Sequence, residues 1–388
     1  MIINVASFGY FGHFLAREMQ DLGYLGLFYT NLPASRAYGI SKKHLRSNPI
    51  TAAPYVAGKI GMHRLARYLN WPSIELFDRW VASQMTPCDI FHCFSAFGRK
   101  AHQVARDKYG AMTVVERGSS HIGFQDDILR EEYGRWGISY PGIDPRVIEK
   151  EQYEYNECDY ITVQSSFAER TFIARGISAQ KLIKLPLGVD LNMFHPVPKE
   201  DNVFRVLYAG TISLRKGSLY LLAALQDLRL NNFEFMFNGH VSDEIKNLIL
   251  PYANCIRSVG TRPFDQLYKL YSQASVFVLP TIEDGFAKVI TEAMACGVPV
   301  IATTNCGAED VVTDGKEGFI VPIRDPEAIR EKIEFLYENP DFRDQMAAAA
   351  LDKAKTLLSL GSHGTRAFKE YGTRYKQFQH QFQEILSP

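Results

Sequence analysis

The feature that most constrains the fold is a unit that occurs twice along the chain. In the first half, the apolar strand Ile2–Ser7 runs through a glycine-bearing loop into a helical pattern over Phe14–Leu22. In the second half, the strand Phe204–Ala209 does the same before a helical pattern over Leu219–Leu228. A strand, a glycine loop and a helix in this order open a doubly wound parallel sheet. The sequence therefore predicts an α/β protein with two Rossmann-like domains.

Further short apolar runs, each followed by a helical pattern, occur in both halves. Continuous apolar runs fit strands of a sheet that is covered on both faces. The predicted strands are Gly26–Tyr29, Ile90–Cys93, Thr113–Glu116 and Tyr160–Gln164 in the first half, and Glu234–Asn238, Ile256–Val259, Val276–Pro280 and Val298–Ala302 in the second.

The joint between the two domains is predicted near Leu187–Lys199. This segment is rich in turn residues and contains Pro196 and Pro198. We place the boundary at residue 195, which gives a first domain of residues 1–195 and a second domain of residues 196–370.

The composition fits two ordinary domains and excludes several classes of protein. The chain has 388 residues, of which 46% are hydrophobic, and this is enough for two cores. Its 43 Lys and Arg balance 43 Asp and Glu, so we expect no nucleic-acid partner. The six cysteines are scattered without zinc spacing, which favours a reducing compartment. No stretch resembles a signal peptide or approaches the roughly 18 apolar residues that span a bilayer, so we expect a cytoplasmic protein.

The segment Val276–Ala302, VFVLPTIEDGFAKVITEAMACGVPVIA, carries the most specific chemistry. A buried strand is predicted over Val276–Leu279, a turn over Pro280–Gly285, and a helix from about Phe286 to Gly297. The first amides of a helix have no intrahelical partners and lie at the positive end of its dipole. The loop is therefore an anion site that suits a diphosphate.

Small residues and amides of this loop are candidate ligand contacts. Gly285 and Ala287 lack bulk, so the backbone can approach a ligand closely. The amides around Phe286, Ala287 and Lys288 point outward from the predicted start of the helix. We expect these four residues to bind substrate.

Two acidic positions complete the segment. Asp284, directly preceded by Glu283, stands at the mouth of the loop and is a candidate for orienting a sugar. Glu292 lies eight residues after Asp284, inside the predicted helix, where it can reach a ribose diol.

The stretch Asp284–Val300, DGFAKVITEAMACGVPV, resembles the hallmark of glycosyltransferase family 4, E-G-F-G-L-x-x-x-E-A-M-A-x-G-x-P-V. That family has the GT-B fold, in which two Rossmann-like domains face each other across a cleft. The resemblance implies transfer from a nucleotide-diphosphate sugar with retention at the anomeric carbon. Asp284 departs from the family's Glu, and either Asp284 or Glu283 could serve.

A second match is Ala209–Gly217, AGTISLRKG, which is similar to the family's G-R-L-x-x-x-K-G pattern. The resemblance implies that Lys216 neutralises the leaving diphosphate. Thr211 takes the position of the family's Arg and is a candidate substrate contact, and Arg215 is a candidate to supply the missing charge. Positive charge acts here where negative charge grows in the transition state.

Three weaker matches extend the resemblance over nearly the whole chain. They are Asp159–Phe167, Leu185–Phe194 and Gly315–Pro322. In this fold the final helix returns to the first domain, and residues 371–388, with the helical pattern Tyr371–Leu386, are the candidate. The resemblance also implies that the first domain faces the acceptor and the second binds the nucleotide sugar.

The sequence gives fewer candidate residues for the first-domain side of the cleft. The amide near Gly12 is a candidate for facing the cleft, although a tight structural turn is an equal alternative. The family commonly places a His after the strand Thr113–Glu116, near the reacting sugar. His121 is the candidate for that catalytic role, and Arg117 is the alternative occupant of the place. We interpret His92 as structural.

The resulting hypothesis is a retaining, metal-independent glycosyltransferase that uses a UDP- or GDP-linked sugar. The acceptor is a hydroxyl on a carbohydrate, a glycolipid or a small molecule, as in surface polysaccharide, lipopolysaccharide or glycolipid synthesis. We expect no cofactor beyond the donor and no metal, since the sequence has no D-x-D motif. One alternative is a nucleotide-sugar epimerase of the same fold. The other is a catalytically silent protein that binds a nucleotide sugar or serves as a scaffold. This alternative stays open because Thr211 and Asp284 depart from the family pattern.

Two segments lie outside these motifs, Arg36–Trp71 and the charged stretch Gln125–Trp136. Long insertions near strand ends are often acceptor-binding or lid elements, and a solvated helix is the alternative for each. A basic face in the first segment is a candidate contact with anionic lipid at the inner face of a membrane, with a solvated surface as the alternative. Its residues are Lys42, Lys43, Arg46, Arg64 and Arg67.

Overall fold

Two parallel sheets organise the chain. The computed structural model describes the backbone of residues 1–9, 12–255, 257–258 and 262–386. The first sheet comprises β1 (Ile3–Ser7), β2 (Leu25–Thr30), β3 (Leu45–Ser47), β4 (Ile90–Phe94), β5 (Met112–Arg117), β6 (Tyr160–Val163) and β7 (Leu182–Lys184). The second comprises β8 (Phe204–Ala209), β9 (Phe233–Asn238), β10 (Arg257–Ser258), β11 (Val276–Leu279), β12 (Val300–Thr303) and β13 (Gly318–Val321).

Helices cover both sheets. The first domain carries α1 (His13–Asp21), α2 (Ala53–Lys59), α3 (His63–Gln84), α4 (Arg99–Tyr109), α5 (Ile122–Arg135), α6 (Pro145–Glu157) and α7 (Ser166–Ile173). The second part of the chain carries α8 (Ser218–Gln226), α9 (Leu267–Ser272), α10 (Lys288–Ala295), α11 (Pro326–Glu338), α12 (Pro340–Leu357) and α13 (Leu360–Leu386).

Both sheets have the doubly wound strand order. The first runs β3-β2-β1-β4-β5-β6-β7 and the second β10-β9-β8-β11-β12-β13, with parallel pairing throughout. The order reverses beside β1 in the first sheet and beside β8 in the second. Ligands of such sheets bind outside the carboxyl ends of the strands at this reversal. The predicted fold class is confirmed.

The predicted strands match the structure to within two residues at each end, except near β10. There the prediction was Ile256–Val259, and Ile256 and Val259 lie outside the described residues. The strands β3, β7 and β13 were not predicted. All three lie at sheet edges. β3 and β7 have only three residues, too few to give a buried apolar run, and β13 is a four-residue run that begins with Gly318.

The last helix returns to the first domain. It begins at Leu360, earlier than the predicted Tyr371, and its residues Ala367 and Tyr371 are fully buried in the core formed around β1 and α1. The second domain closes its own core around β8, β11 and α10.

Helix α5 corresponds to the charged stretch Gln125–Trp136, and it joins the two domains. Its residues Ile128 and Leu129 pack with Ile282 of the second domain. Arg324 of the second domain also pairs with Glu132, at 2.7 Å. The solvated-helix interpretation of this segment is therefore wrong, because one of its faces is buried between the domains.

Across the described part of the chain, we find no helix that combines the length and the apolar character needed to cross a membrane.

Candidate active site

A cavity of about 500 Å³ lies between the loops that follow the strands of the two sheets. Both domains and α13 contribute to it. Its first-domain lining includes Phe14, Phe94, Glu116, Arg117, Ser119 and Gln164, its second-domain lining Arg215, Lys216, Asp284, Phe286 and Lys288, and its α13 lining His363 and Tyr371.

Two adjacent loops build the second-domain wall, one after β8 and one after β11. Gly217 ends the first loop with φ +61°, and a Cβ there would lie 1.9 Å from the carbonyl oxygen of Pro280. Glycine is therefore required for the loops to touch. The amide of Ile282 donates to the carbonyl of Arg215 at 2.9 Å, which fixes their alignment. This contact brings Lys216 beside Asp284.

Lys216 and Asp284 form an ion pair that lines the cavity. Their side chains are 24% and 14% exposed, so the pair is open to a ligand. The Asp284 carboxylate holds the Lys216 ammonium at the cavity wall. A phosphate oxygen of a ligand can replace this carboxylate as the partner of Lys216. The structure thus brings together two residues that the sequence placed in the site.

Glu283 points the opposite way from its neighbour Asp284 and is fully buried. One oxygen accepts hydrogen bonds from the hydroxyls of Ser119 and Ser120, at 2.6 and 2.7 Å, and from the Ser120 amide at 3.1 Å. The other accepts from Gln125 Nε2 and Arg215 Nε, each at 2.9 Å. The alternative in which Glu283 orients the sugar is not supported, because both oxygens are occupied at the domain junction.

The charge of Glu283 is stabilised by these partners. Burial alone would raise its pKa, but Arg215 and the hydrogen bonds from Ser119 and Ser120 lower the pKa to about 2. Arg215 is 37% exposed at the cavity while it pairs with Glu283. Its guanidinium therefore neutralises Glu283 at the domain junction and also forms part of the cavity wall.

Gly285 permits a close approach, but the approaching group is the first domain and not a ligand. A Cβ at this position would lie 2.4 Å from the Cα of Ser119. The carbonyl of Gly285 also accepts a hydrogen bond from the Ser165 hydroxyl at 2.5 Å. The substrate contact predicted for Gly285 is corrected accordingly.

The start of α10 lies at the cavity, two residues later than predicted. The amide of Ala287 is already used, since it donates to the carbonyl of Cys306 at 3.2 Å. Phe286 and Lys288 line the cavity. The Lys288 ammonium sits 4.5 Å from the centre of the Phe14 ring, a cation–π contact across the domains.

Glu292 and Thr211 do not line this cavity. Glu292 is 9% exposed and accepts a hydrogen bond from the Tyr271 hydroxyl at 2.9 Å. Burial raises the pKa of Glu292, against the opposing effect of Tyr271. The Thr211 hydroxyl lies 3.5 Å from His240 Nε2. The ribose contact of Glu292 and the substrate contact of Thr211 stay predictions.

Arg117 lines the cavity, but its guanidinium is committed to protein partners. It pairs with Glu151 at 2.9 Å and donates to Gln125 at 2.7 Å and to the Ser120 carbonyl at 3.1 Å. Arg117 therefore fixes the loop that meets Glu283.

Gly12 likewise uses its amide internally, where it donates to the Ser7 hydroxyl at 2.8 Å. The structural turn is the interpretation that this contact favours, over an amide that faces the cleft.

His121 lies outside the cavity, in contrast to the prediction. It precedes α5, and its Nδ1 accepts a hydrogen bond from the Gly123 amide at 3.1 Å. Its ring packs against Tyr155 and Phe172 in the first-domain core. Burial, with Arg175 and Arg117, lowers its pKa to about 4. The correction is that His121 caps a helix, which its neighbouring sequence did not reveal.

One charged cavity group that the sequence motifs did not predict is Glu116. Strand register sets it opposite Phe94 of β4 and Thr162 of β6, at the carboxyl edge of the sheet. His92 Nε2 lies 2.8 Å from one oxygen of Glu116, and Gln164 donates to the other at 3.2 Å. A carboxylate near the end of a largely apolar strand was the available signal, because buried charge is costly without partners.

His92 connects Glu116 to the last helix. Its Nδ1 lies 2.8 Å from the hydroxyl of Tyr371. Burial would raise the pKa of Glu116, but the hydrogen bond and charge of His92 outweigh it and lower the pKa. Glu116 is thus an ionised carboxylate, 13% exposed, held in a fixed orientation at the cavity.

In the described ranges, no group of three or more His, Cys, Asp or Glu side chains is arranged to hold a metal ion.

Residues 191–353 match the family Glycosyl transferases group 1. The D-inositol 3-phosphate glycosyltransferase of Nocardioides sp. is 34% identical over 355 residues, which are 83% of this chain and 74% of that protein. The chain therefore belongs to the group 1 glycosyl transferases.

Other relatives are matched over less of their length. Two uncharacterised glycosyltransferases of Methanocaldococcus jannaschii are 31% and 26% identical, over 35% and 57% of this chain. The matches span 39% and 62% of those relatives.

Solved structures share the whole architecture. A sucrose-phosphate synthase from Thermosynechococcus elongatus superposes with a TM-score of 0.74 at 19% identity, covering 96% of this chain and 99% of that one. The Anabaena protein HepE in complex with UDP-glucose gives a TM-score of 0.67 at 17% identity, covering 95% and 99%. The two domains therefore have the GT-B arrangement.

Proposed function

We propose that the protein transfers a sugar from a nucleotide-diphosphate donor to a hydroxyl acceptor, with retention and without a metal ion. The observation that carries the proposal is one cavity lined by cationic groups from the second domain and by a fixed carboxylate from the first. Family membership and the solved HepE complex with UDP-glucose support a nucleotide sugar as donor.

The donor diphosphate would lie against the second-domain wall. Lys216 exchanges its carboxylate partner for a phosphate oxygen, while Arg215 keeps its contact with Glu283. The first turn of α10 adds the positive end of its dipole. These charges favour departure of the nucleoside diphosphate, because they act where negative charge develops. The freed Asp284 then orients the sugar.

The acceptor would enter from the first-domain wall. Glu116 can accept a hydrogen bond from an acceptor hydroxyl, since its geometry is held by His92 and Gln164. Such a bond positions the hydroxyl. As the new glycosidic bond forms, the hydroxyl proton passes to an oxygen of the departing diphosphate, so Glu116 does not need to take it. The acceptor class stays open among carbohydrate, glycolipid and small molecule.

A panel of UDP-, GDP- and ADP-sugars tests the proposal, with thermal unfolding and nucleoside diphosphate release as the readouts, each with and without a chelator. Release from one donor that a chelator leaves unchanged is the expected result. Release that the chelator abolishes would overturn metal independence.

The panel also separates the second candidate, a silent nucleotide-sugar binder. That candidate is favoured by one observation, the half-buried Thr211 where the family pattern has Arg. Stabilisation by a donor without release, under every acceptor class supplied, is its signature. No stabilisation by any donor would contradict both candidates.

A further inference from the structure

The α2–α3 hairpin, residues 53–72, projects from the first domain with little core of its own. Helix α2 packs on α3 and on the turn Pro49–Ala52. Ala57 is the one buried residue of α2, and the buried residues of α3 begin at Ser73. The second half of α3, by contrast, carries Phe77 and Val81 into the first-domain core. Most of the hairpin surface is therefore exposed.

Large apolar side chains cover that exposed surface. A helix of a globular protein normally directs its polar residues outward, and a contiguous exposed apolar patch marks an interaction surface. Every residue from 59 to 65 is exposed. The exposed fractions of the apolar residues are 54% for Tyr55, 55% for Val56, 67% for Ile60, 48% for Met62, 38% for Leu65 and 76% for Tyr68.

Within the segment that carries this apolar patch, the charge has a single sign. From Leu22 to Ile74 the chain contains seven Lys and Arg and no Asp or Glu. Three of the cations, Lys59, Arg64 and Arg67, are exposed on the hairpin itself. An acidic group near the patch is Asp243 of the second domain, whose pKa is lowered by Lys246 and, to a smaller extent, by His63. An apolar stripe flanked by cations is the pattern of helices that lie in the interface of an anionic membrane.

The hairpin also stands at the edge where the cavity opens. Phe77 contacts Phe8 just after β1, with ring centres 5.6 Å apart, whereas Thr86 accepts from Asn4 near the start of β1 at 3.0 Å. Helix α3 therefore runs antiparallel to β1. At 1.5 Å per residue, the stretch from His63 to Phe77 reaches roughly 20 Å past the carboxyl edge of the sheet.

We propose that the α2–α3 hairpin docks the protein onto an anionic lipid bilayer, with Ile60, Met62 and Tyr68 entering the interface and the cations meeting lipid phosphates. The cavity would then open beside the bilayer surface. This inference extends the basic face predicted from the sequence by its apolar component, and it does not depend on the activity of the site.

A second copy of the chain fits this surface less well. A two-fold dimer sets the same patch against itself, so Lys59, Arg64 and Arg67 would face the same cations of the other copy, with no acidic residue in the hairpin itself to offset them. Anionic lipid supplies the complementary charge.

Sedimentation of the full chain with vesicles tests the proposal. One set of vesicles is phosphatidylcholine alone, and the other is an equal mixture with phosphatidylglycerol. We expect binding to the anionic vesicles that weakens as salt is raised, and little binding to the neutral ones. Replacing Lys59, Arg64 and Arg67 by Gln should weaken binding about a hundredfold, since each cation near the surface contributes about fivefold.

The apolar contribution is tested by the double variant Ile60→Ser with Tyr68→Ser, which should weaken binding at least tenfold. Salt does not screen this contribution, so the ratio between the affinities of the unaltered chain and the variant should be the same at high salt. The matched apolar control is Leu250→Ser, since Leu250 on the second domain has the same exposure as Ile60, 67%. The matched charge control replaces Lys108, Lys355 and Lys376 by Gln, three exposed cations away from the hairpin. Neither control should change binding.

Three results would overturn the proposal. The first is that the unaltered chain fails to sediment with anionic vesicles. The second is that the hairpin variants and their controls lose the same amount of binding. The third is that the unaltered chain binds no vesicles but forms a concentration-dependent dimer in ultracentrifugation, and the Ser substitutions dissociate this dimer. Since all substituted residues are exposed, unchanged thermal unfolding verifies that the variants are folded.

Discussion

The two walls of the cavity are built in different ways. The second-domain wall comes from two loops, and its groups Lys216 and Asp284 belong to continuous sequence motifs. The first-domain wall is assembled from separate places, since Glu116 depends on His92 of another strand and Tyr371 of the last helix. A wall made from local segments can be recognised in the sequence, and a wall made by tertiary contacts cannot.

The same contrast separates two neighbouring residues. Asp284 lines the cavity, whereas Glu283 is saturated by partners from the other domain. Alternation of side chains along an extended segment sends adjacent residues to opposite sides. The first of two adjacent carboxylates thus holds the domains together, and the second is available to substrate.

The largest effect is expected for Lys216→Ala on the second-domain wall. Loss of a fixed positive group at the developing charge should lower kcat/KM by about 10²–10³-fold. Steady-state kinetics with the donor identified by the panel provide the measurement. Lys246→Ala is the matched control, because Lys246 pairs with Asp243 on the same domain but outside the cavity. Equal losses in both variants would remove Lys216 from the site.

Glu283→Gln tests the junction between the walls. The folded pKa is about 2, below the usual 4.5, so ionised Glu283 stabilises the fold fully above pH 4.5 and ceases to do so as pH falls towards 2. The shift corresponds to about 3 kcal/mol in the free energy of unfolding. Denaturant unfolding should therefore show a deficit of this size near pH 7.

That deficit should shrink as pH falls from 4.5 towards 2. Asp284→Asn is the adjacent control, and it should cost less than about 1 kcal/mol because its ion pair is partly exposed. A deficit for Glu283→Gln that stays constant with pH would contradict the ionised junction.

Glu116→Gln tests the first-domain wall. The amide keeps the shape but loses the charge, and hydrogen bonds to charged groups contribute more than neutral ones. We expect the KM for the acceptor to rise about tenfold, with the KM for the donor unchanged. A rise in the KM for the donor alone would show that Glu116 contacts the donor and not the acceptor, which would contradict the proposal.

The smallest effect is expected for Thr211→Arg. Thr211 is outside the cavity lining and its hydroxyl is near His240, so an Arg there gains at most an exposed charge contact. Exposed charge pairs contribute about 0–1 kcal/mol, which limits the gain in donor affinity to about fivefold. Donor titration measures this gain, and a larger one would indicate that the present site is impaired.

The same difference between local and tertiary structure decides which features of the molecule could be predicted from the sequence. The strands and the doubly wound class could be predicted because buried parallel strands are apolar runs of adequate length. The short edge strand β3 could not, since Leu45–Ser47 has no such run. His121 was misplaced because the distance from a strand end does not show whether a side chain turns to the cavity or caps a helix. Gly285 was predicted to let a ligand approach closely, and only the tertiary structure identifies the approaching group as Ser119.

The most direct test of the division between the walls is calorimetric titration of nucleoside diphosphate into three proteins, the unaltered chain, Lys216→Ala and Glu116→Gln. The account predicts that Lys216→Ala weakens the affinity at least tenfold and that Glu116→Gln leaves it unchanged. Equal weakening in both variants, or none in Lys216→Ala, would contradict a donor site built on the second domain.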